Sequence, residues 1–352
     1  MTPPSDTKKL SRRDPEARGV FDVLVTSLVR QAGETPNAEL IKEMIITVVK
    51  LIGDRADRGD LKILNAALKE LRYAFKLFAP YRQIRKVTVF GSARTREEDP
   101  AYQQAVKFSR LISQAGFMVI TGAGDGIMKG AQEGAGRGNS FGVNIMLPFE
   151  QNPNKFIQDD PKLVTFKYFF TRKLIFVKEA AALVLFPGGF GTHDEAYEAL
   201  TLMQTGKGDI MPVVFLDEPG GTFWKDWKTH VEQQMVKKEM ILPDDMDFFT
   251  VTDQAEEAVK EITNFYRIYH SARHVEDRLV IRMNQPISSE QIDRLNSEFQ
   301  DIITEGKIEA SQALAPELRE KELVDLPRLV FKFNRKSQGR LRQLINAINS
   351  AA

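Results

Sequence analysis

The chain has 352 residues, 42% of them apolar, which is enough for two or three domains with a sizeable buried core. Its 49 basic and 48 acidic residues leave a formal net charge of +1, so no global field favours nucleic acid or an anionic membrane as a partner. The sequence contains no cysteine, which excludes disulfides, thiolate zinc sites and cysteine nucleophiles and fits a reducing compartment.

The amino-terminal part predicts a polar tail followed by a helical module. Residues 1–15 are polar and basic and lack the apolar core of a secretory signal, so we expect a disordered tail and a cytoplasmic location. No run in the sequence reaches the roughly 18 apolar residues that a membrane span needs. Over residues 16–85, apolar side chains recur at steps of three and four between glycines and prolines, which predicts about three helices.

Residues 86–272 alternate short β-rich runs with helical stretches. The runs KVTVF, FMVIT, FGVNIM, ALVLF and PVVFL are almost continuously apolar, as strands buried on both faces are. We therefore predict an α/β fold, a Rossmann-like doubly wound parallel sheet, with ligands bound outside the carboxyl ends of the strands. Two further strand-then-helix units predict a small α+β domain at residues 273–352, for which a regulatory role is our hypothesis.

The first two predicted strands end in loops that contain glycine, VFGSAR and ITGAGDGIM. Glycines let backbone N–H groups approach an anion, so a phosphate cradle is one interpretation and a tight turn required by packing is the other. The Gly-Lys-Ser/Thr ending of an ATP-hydrolysing loop is missing, which disfavours that activity. The candidate substrate-binding residues of these two loops are Gly91, Ser92, Gly122, Gly124, Gly126 and Met128.

A third loop, FPGGFGTHDE at residues 186–195, is the most informative stretch. A buried strand ends at Pro187, three glycines leave the backbone bare, and Thr192 stands where we expect a helix to begin. The exposed N–H groups, the positive helix end and the hydroxyl would converge on a phosphate monoester. Asp194 and Glu195 are predicted to lie in the first helical turn. A capped helix with dipole-compensating acids would explain the acids but not the glycines.

Upstream of this strand, YFFTRKLIFVKEA is typical of a helix, with Arg172 and Lys173 near its start. A cation at the start of a helix is unfavourable for the helix dipole, so a functional reason competes with a solvated surface pair. An arginine can fork onto hydroxyl or phosphate oxygens and keeps its proton, which suits a substrate-binding role.

The segment PGGFGTHDE resembles the PGGxGTxxE signature of the lonely guy (LOG) phosphoribohydrolases, nucleotide 5′-monophosphate nucleosidases that are often mislabelled lysine decarboxylases. Arg172 is similar to the arginine of that family's RK motif, and VFGSAR, TGAGDGIM, NIMLPFEQNPN and LTLMQTGK resemble its larger bacterial branch. The resemblance implies a Rossmann-like fold, a homodimer or higher homo-oligomer, and no metal or organic cofactor. It also implies hydrolysis of the N-glycosidic bond of a nucleoside 5′-monophosphate, AMP-like or a cytokinin riboside monophosphate, to free base and ribose 5-phosphate.

The resemblance also implies the residues of the site. Arg172 and Glu195 would be the catalytic pair, with Arg172 on ribose hydroxyls or phosphate and Glu195 facing the sugar carbon that becomes cationic. We expect Glu195 to be ionised, because N–H groups at the helix start favour a carboxylate. The other substrate-binding residues that the resemblance implies are Glu150, Lys173, Gly188, Gly189, Gly191, Thr192 and Thr201.

Three positions depart from the family pattern: Ala123 replaces a glycine, Asp125 a proline and Lys129 a frequent glutamate. These changes put the second loop in doubt as part of the cradle. A non-catalytic nucleotide or molybdenum-cofactor carrier on the same fold is the alternative function, and a lysine decarboxylase carrying pyridoxal phosphate is a third.

A basic run near the carboxyl end is either a solvated face or the site of an anionic effector. We expect neither a membrane nor a nucleic acid as a partner of the chain. The members of the run are Arg328, Lys332, Arg335, Lys336, Arg340 and Arg342.

Overall fold

The computed structural model describes residues 15–148, 152–320 and 323–350. The chain divides into two units, residues 1–68 and residues 69–352. The described part of the first unit is helical, and its last helix continues into the second unit. These helices, which the apolar spacing predicts, are α1 (Pro15–Ala32), α2 (Ala38–Gly53) and α3 (Arg58–Phe78).

The described residues of the second unit form a seven-stranded sheet in which every paired strand is parallel. The strand order is β4-β3-β2-β1-β5-β6-β7, so the predicted Rossmann-like α/β fold is confirmed. The strands are β1 (Lys86–Phe90), β2 (Met118–Thr121), β3 (Ser140–Ile145), β4 (Leu163–Phe166), β5 (Ala182–Leu185), β6 (Val213–Leu216) and β7 (Phe249–Thr252).

Helices cover both faces of this sheet, because successive strand residues point to opposite sides. Along β5, Leu183 and Leu185 belong to one hydrophobic core, whereas Ala182 and Val184 belong to the other. The helices are α4 (Pro100–Gln114), α5 (Ile127–Ala135), α6 (Phe169–Lys178), α7 (Phe190–Gln204), α8 (Phe223–Val231), which continues as a π-helix (Glu232–Val236), and α9 (Ala255–Phe265).

A second, antiparallel sheet follows, and in the described residues it has four strands in the order β10-β11-β9-β8. The larger hydrophobic core contains residues of both sheets, such as Phe215 and Ile281, and the predicted boundary at 272/273 falls inside β8. The division into domains therefore stays a prediction. The elements are β8 (Tyr269–Val275), β9 (Arg278–Met283), α10 (Ser289–Glu298), β10 (Ile303–Ser311), α11 (Ala315–Glu320), β11 (Arg328–Phe333) and α12 (Gln338–Ser350).

The strand order reverses between β1 and β5, in the middle of the parallel sheet. From β1 the chain proceeds outward through β2, β3 and β4, and it then returns to β5 on the other side of β1. In open parallel sheets a crevice opens beside the carboxyl ends of the strands at such a point. The loops after β1 and β5 are therefore the expected place for a ligand.

Within the described ranges, no helix combines the length and the apolar character that crossing a bilayer requires.

Candidate functional site

Three loops meet at the reversal point of the sheet. The Ser92 N–H, just after β1, donates to the Pro187 carbonyl after β5 at 3.1 Å, and the Ile127 N–H donates to the Ser92 carbonyl at 3.1 Å. The loop after β1 thus contacts both the loop after β5 and the start of α5. The structure brings together the three glycine-containing loops that the sequence singles out.

Close packing explains three of the glycines in these loops, Gly91, Gly126 and Gly188, and at Gly91 an added Cβ would lie 2.7 Å from side-chain atoms of Ile127. At Gly126 the backbone has a φ of +62°, and an added Cβ would lie 2.2 Å from the Ser92 carbonyl oxygen. At Gly188 a Cβ would lie 2.2 Å from the Thr192 Oγ1. Because real side chains do not tolerate such distances, all three positions need glycine for the fold itself.

Close packing does not explain the other two glycines of the signature loop, Gly189 and Gly191. An added Cβ on Gly189 or Gly191 would meet no atom within 4 Å among the described residues, and neither has a φ in the left-handed region. Packing within the chain therefore does not require the bare backbone here. An open backbone beside a helix start is what a bound anion would use.

Helix α7 begins at Phe190, two residues earlier than Thr192, with Gly189 as its N-cap and no side-chain capping bond. The prediction that Asp194 and Glu195 lie in the first turn is wrong, because the helix starts earlier and places both beyond that turn. Compensation of the helix dipole, which fades within one turn, therefore does not account for these acids.

Glu195 is a buried carboxylate, only 4% exposed. Burial raises its pKa to about 7, against the lowering effects of Lys173 and Arg172. The expected support of the ionised form by helix-start N–H groups is not seen, because the side chain lies beyond the first turn and burial instead favours the protonated form. A carboxylate of this kind changes its charge near neutral pH, as acid–base groups in enzyme sites do.

Lys173 lies among three acids of α7. Its Nζ is 2.6 Å from the Glu198 Oε2, 3.0 Å from the Asp194 Oδ2 and 3.9 Å from the Glu195 Oε2. Burial lowers the pKa of Lys173, but the hydrogen bonds to Glu198 and Asp194 outweigh it and leave the pKa above its ordinary value. Lys173 is therefore a neutralising cation beside the carboxylate, in addition to any role in enclosing a substrate.

The Arg172 side chain is partly buried, and its Nε is a buried donor with no hydrogen-bond partner among the described residues. The guanidinium carbon lies 5.0 Å from the centroid of the Phe169 ring and 5.5 Å from that of Phe176. Burial lowers the pKa of Arg172, while the charges of Glu195 and Asp194 raise it. A buried donor without an acceptor costs free energy, which a ligand oxygen would recover.

The second loop holds a strained residue at one of the departures from the family pattern. Ala123 is fully buried and has a φ of +62°, a conformation that costs a residue with a Cβ about 1–2 kcal/mol. Asn154, itself buried, holds this loop: its Nδ2 donates to the Gly124 carbonyl at 2.8 Å and its backbone N–H to the Ala123 carbonyl at 2.9 Å. We did not assign Asn154 from the sequence, although it lies in the NIMLPFEQNPN stretch.

The remaining predicted residues fall in different places. The Met128 Sδ lies 2.9 Å from where a Cβ on Gly122 would be, so this pair packs closely within the loop. Thr201 is six residues from Glu195, about 120° round the helix, and lines a separate cavity of about 110 Å³ with Tyr197 and Trp227. Glu150 lies outside the described residues.

Carboxylates neutralise much of the carboxyl-terminal basic run in the described part of the chain. The hypothesis of an anionic effector there stays a prediction, with less unpaired positive charge than the sequence suggests. The pairs are Arg328 with Glu317, Lys332 with Asp277 and Glu305, Arg340 with Asp301, and Arg342 with Glu261.

Across the described ranges, no group of three or more histidine, aspartate or glutamate side chains is placed to hold a metal ion.

Several solved structures are similar to about half of the chain. TM1055, a structural genomics target, is 22% identical over 51% of this chain and 99% of its own, with a TM-score of 0.37. The molybdenum cofactor binding protein of the phototrophic bacterium Rippkaea orientalis is 18% identical over 51% and 94%, with a TM-score of 0.35. The Moco carrier protein of Chlamydomonas reinhardtii is 19% identical over 51% and 96%, with a TM-score of 0.36.

None of the curated proteins matches the chain. A family model described as "possible lysine decarboxylase" matches residues 125–262, which include α5, the signature loop, Arg172 and Glu195. Similarity to that family, the LOG family, is thus shown for residues 125–262 of the chain.

Proposed function

We propose that the protein hydrolyses the N-glycosidic bond of nucleoside 5′-monophosphates, releasing the free base and ribose 5-phosphate. The observation that carries the proposal is the pairing of a buried carboxylate, Glu195, with a partly buried arginine, Arg172, whose buried Nε has no partner among the described residues. The charges of these two residues act on each other, and Glu195 lies on the helix that begins at the signature loop, where packing does not require Gly189 or Gly191.

The substrate's phosphate would bind at the start of α7. The N-cap is a glycine, so no side chain occupies the first N–H groups of the helix, and the positive end of the helix dipole favours an anion. Binding energy from the phosphate would hold the sugar in place for reaction, although the phosphate itself does not react. Arg172 would donate its unbonded Nε–H to a ribose or phosphate oxygen.

Glu195 would act at the anomeric carbon. As the bond from C1′ to the base nitrogen breaks, positive charge builds on the sugar ring, and a carboxylate nearby stabilises that charge. Water attacks C1′, Glu195 accepts one water proton, the remaining hydroxyl becomes the anomeric hydroxyl, and the departing base takes a proton from solvent. A base with a pKa of about 7 is matched to such a proton transfer near neutral pH.

Two other activities are the alternatives to this proposal. A carrier on the same fold would bind a nucleotide or a molybdenum cofactor without turnover. A decarboxylase would need a lysine that forms a Schiff base with pyridoxal phosphate, and such a lysine must lose its proton. Three carboxylates around Lys173 favour its protonated form, so this lysine is poorly suited to that chemistry.

The direct test is incubation of the purified protein with AMP and with a cytokinin riboside monophosphate, followed by chromatography of the base and enzymatic detection of ribose 5-phosphate. We expect both products in equal amounts from at least one nucleoside monophosphate, and none from the nucleoside, which lacks the phosphate anchor. Tight binding without products would support the carrier, and an absorbance band of pyridoxal phosphate would support the decarboxylase. Size-exclusion chromatography of the same sample would test the expected homo-oligomer.

The two kinds of glycine in the signature loop predict two different variants. Gly191→Ala is expected to keep the melting temperature, because its Cβ meets no atom within 4 Å, and to weaken nucleotide binding about tenfold by blocking the backbone. Gly188→Ala is expected to lower the melting temperature, because its Cβ would lie 2.2 Å from the Thr192 Oγ1. Differential scanning fluorimetry and calorimetric titration with AMP measure the two effects. Unchanged nucleotide affinity in folded Gly191→Ala would contradict the proposed anion site.

A further inference from the structure

We propose that Glu70, on helix α3 and outside the residues that the family model matches, positions Arg172 for the reaction. This inference rests on the proposed function, in which Arg172 binds the substrate. The hydrogen bonds of Glu70 in the described residues go to Lys167 and Thr171, and not to Arg172 or the loops of the site, so it would act as a positioning residue through the start of α6.

The contacts of Glu70 bridge about a hundred residues of sequence. Its Oε1 accepts a hydrogen bond from the Lys167 backbone N–H at 3.0 Å, and its Oε2 accepts one from the Thr171 Oγ1 at 2.6 Å. Thr171 is 1% exposed and immediately precedes Arg172. The Glu70 carboxylate thus forms hydrogen bonds both just before α6 and in the first turn of that helix.

These hydrogen bonds bring a negative charge to the start of α6, where the helix itself has none. The N-cap residue, Tyr168, makes no side-chain capping bond, and no acid lies in the first turn of the helix. Arg172 is the fourth residue of α6, so its positive charge lies close to the positive end of the helix dipole. Glu70 places a negative charge near that end, which offsets the positive charge there, and its hydrogen bonds to the Lys167 N–H and the Thr171 hydroxyl hold the residues on either side of the N-cap.

The orientation of the start of α6 decides where Arg172 points. The guanidinium lies over Phe169 and Phe176, both on the same helix, so the helix and the arginine move together. Near-attack geometry is sensitive to displacements of about 1 Å, so loosening the first turn would misplace the Arg172 donor. Glu70 would therefore link α3 to the substrate-binding arginine within the second unit.

The test is a set of variants compared by steady-state kinetics. We expect Glu70→Ala to lower kcat/KM for the accepted nucleoside monophosphate about tenfold, and Glu70→Gln, which keeps one acceptor oxygen but not the charge, to recover part of that loss. Arg72→Ala, an exposed neighbour on the same helix, is the matched control and should leave kcat/KM unchanged. In an Arg172→Lys background, Glu70→Ala should have almost no further effect, because the two residues act as one unit.

Hydrogen exchange gives a readout that does not need activity. Backbone amides of residues 167–172 should exchange faster in Glu70→Ala than in the wild type or in Arg72→Ala. Equal exchange in all three, or losses that add fully in the Arg172→Lys background, would overturn the inference. If the wild type releases no ribose 5-phosphate, the proposed function fails, while the exchange data still decide whether Glu70 holds the start of α6.

Discussion

Glu195→Gln is expected to lower the turnover of nucleoside monophosphate by about a hundredfold or more, because the amide cannot supply the charge that stabilises the cationic sugar or accept a proton from water. The side chain keeps its shape, so substrate affinity should change much less than kcat. Single-turnover assays with AMP or the best accepted nucleotide measure the chemical step. Glu256→Gln, which removes an exposed acid on α9, is the control and should keep full activity.

The same side chain predicts a pH dependence with a definite sign. In the wild type, kcat/KM should rise with pH through about 7, as Glu195 becomes ionised. The folded-state pKa lies above the ordinary 4.5, so the folded state holds this proton more firmly, and stability should fall as pH rises from 4.5 through about 7. The difference, 7 − 4.5 = 2.5, corresponds to about 3 kcal/mol.

Glu195→Gln should not lose stability in this way as the pH rises, because its amide does not ionise. The variant should therefore be more stable than the wild type at pH 8 and close to it at pH 4.5. Urea unfolding at the two pH values measures the difference. Wild-type turnover in Glu195→Gln would contradict the assignment of Glu195. So would a loss of stability between pH 4.5 and pH 8 that is as large in the variant as in the wild type.

Gly126→Ala is expected to destabilise the fold by about 3 kcal/mol or more. Two costs add at this position: a left-handed φ of +62° costs a residue with a Cβ about 1–2 kcal/mol, and the Cβ would lie 2.2 Å from the Ser92 carbonyl oxygen. The clashing atom belongs to the backbone, so no side-chain rotation relieves it. The variant should also bind nucleotide more weakly, because the shift would separate two loops of the site.

Gly138→Ala is the matched control for this variant, since an added Cβ there meets no atom within 4 Å among the described residues and its φ lies outside the left-handed region. Urea unfolding compares the free energies of unfolding of both variants with the wild type. A decrease of less than about 0.5 kcal/mol in the free energy of unfolding of Gly126→Ala would show that the loop after β2 can shift to accept the Cβ. That result would contradict the packing argument.

The sequence by itself determined the fold class and the location of the candidate site. Strands buried on both faces show as apolar runs and helices as steps of three and four, and both patterns are local. The glycine loops follow those runs directly, so the carboxyl edge of the sheet was predictable before any contact was known. The family resemblance then named Arg172 and Glu195.

Only the tertiary structure decided how those residues behave. The charge of Glu195 depends on burial by elements distant in sequence, and the reasons for the glycines depend on which atoms approach them across loops. The role of Glu70 depends on contacts with residues about a hundred positions away, which no local pattern encodes. Free energies of desolvation and close contact are set by three-dimensional neighbours, and these neighbours exist only once the chain has folded.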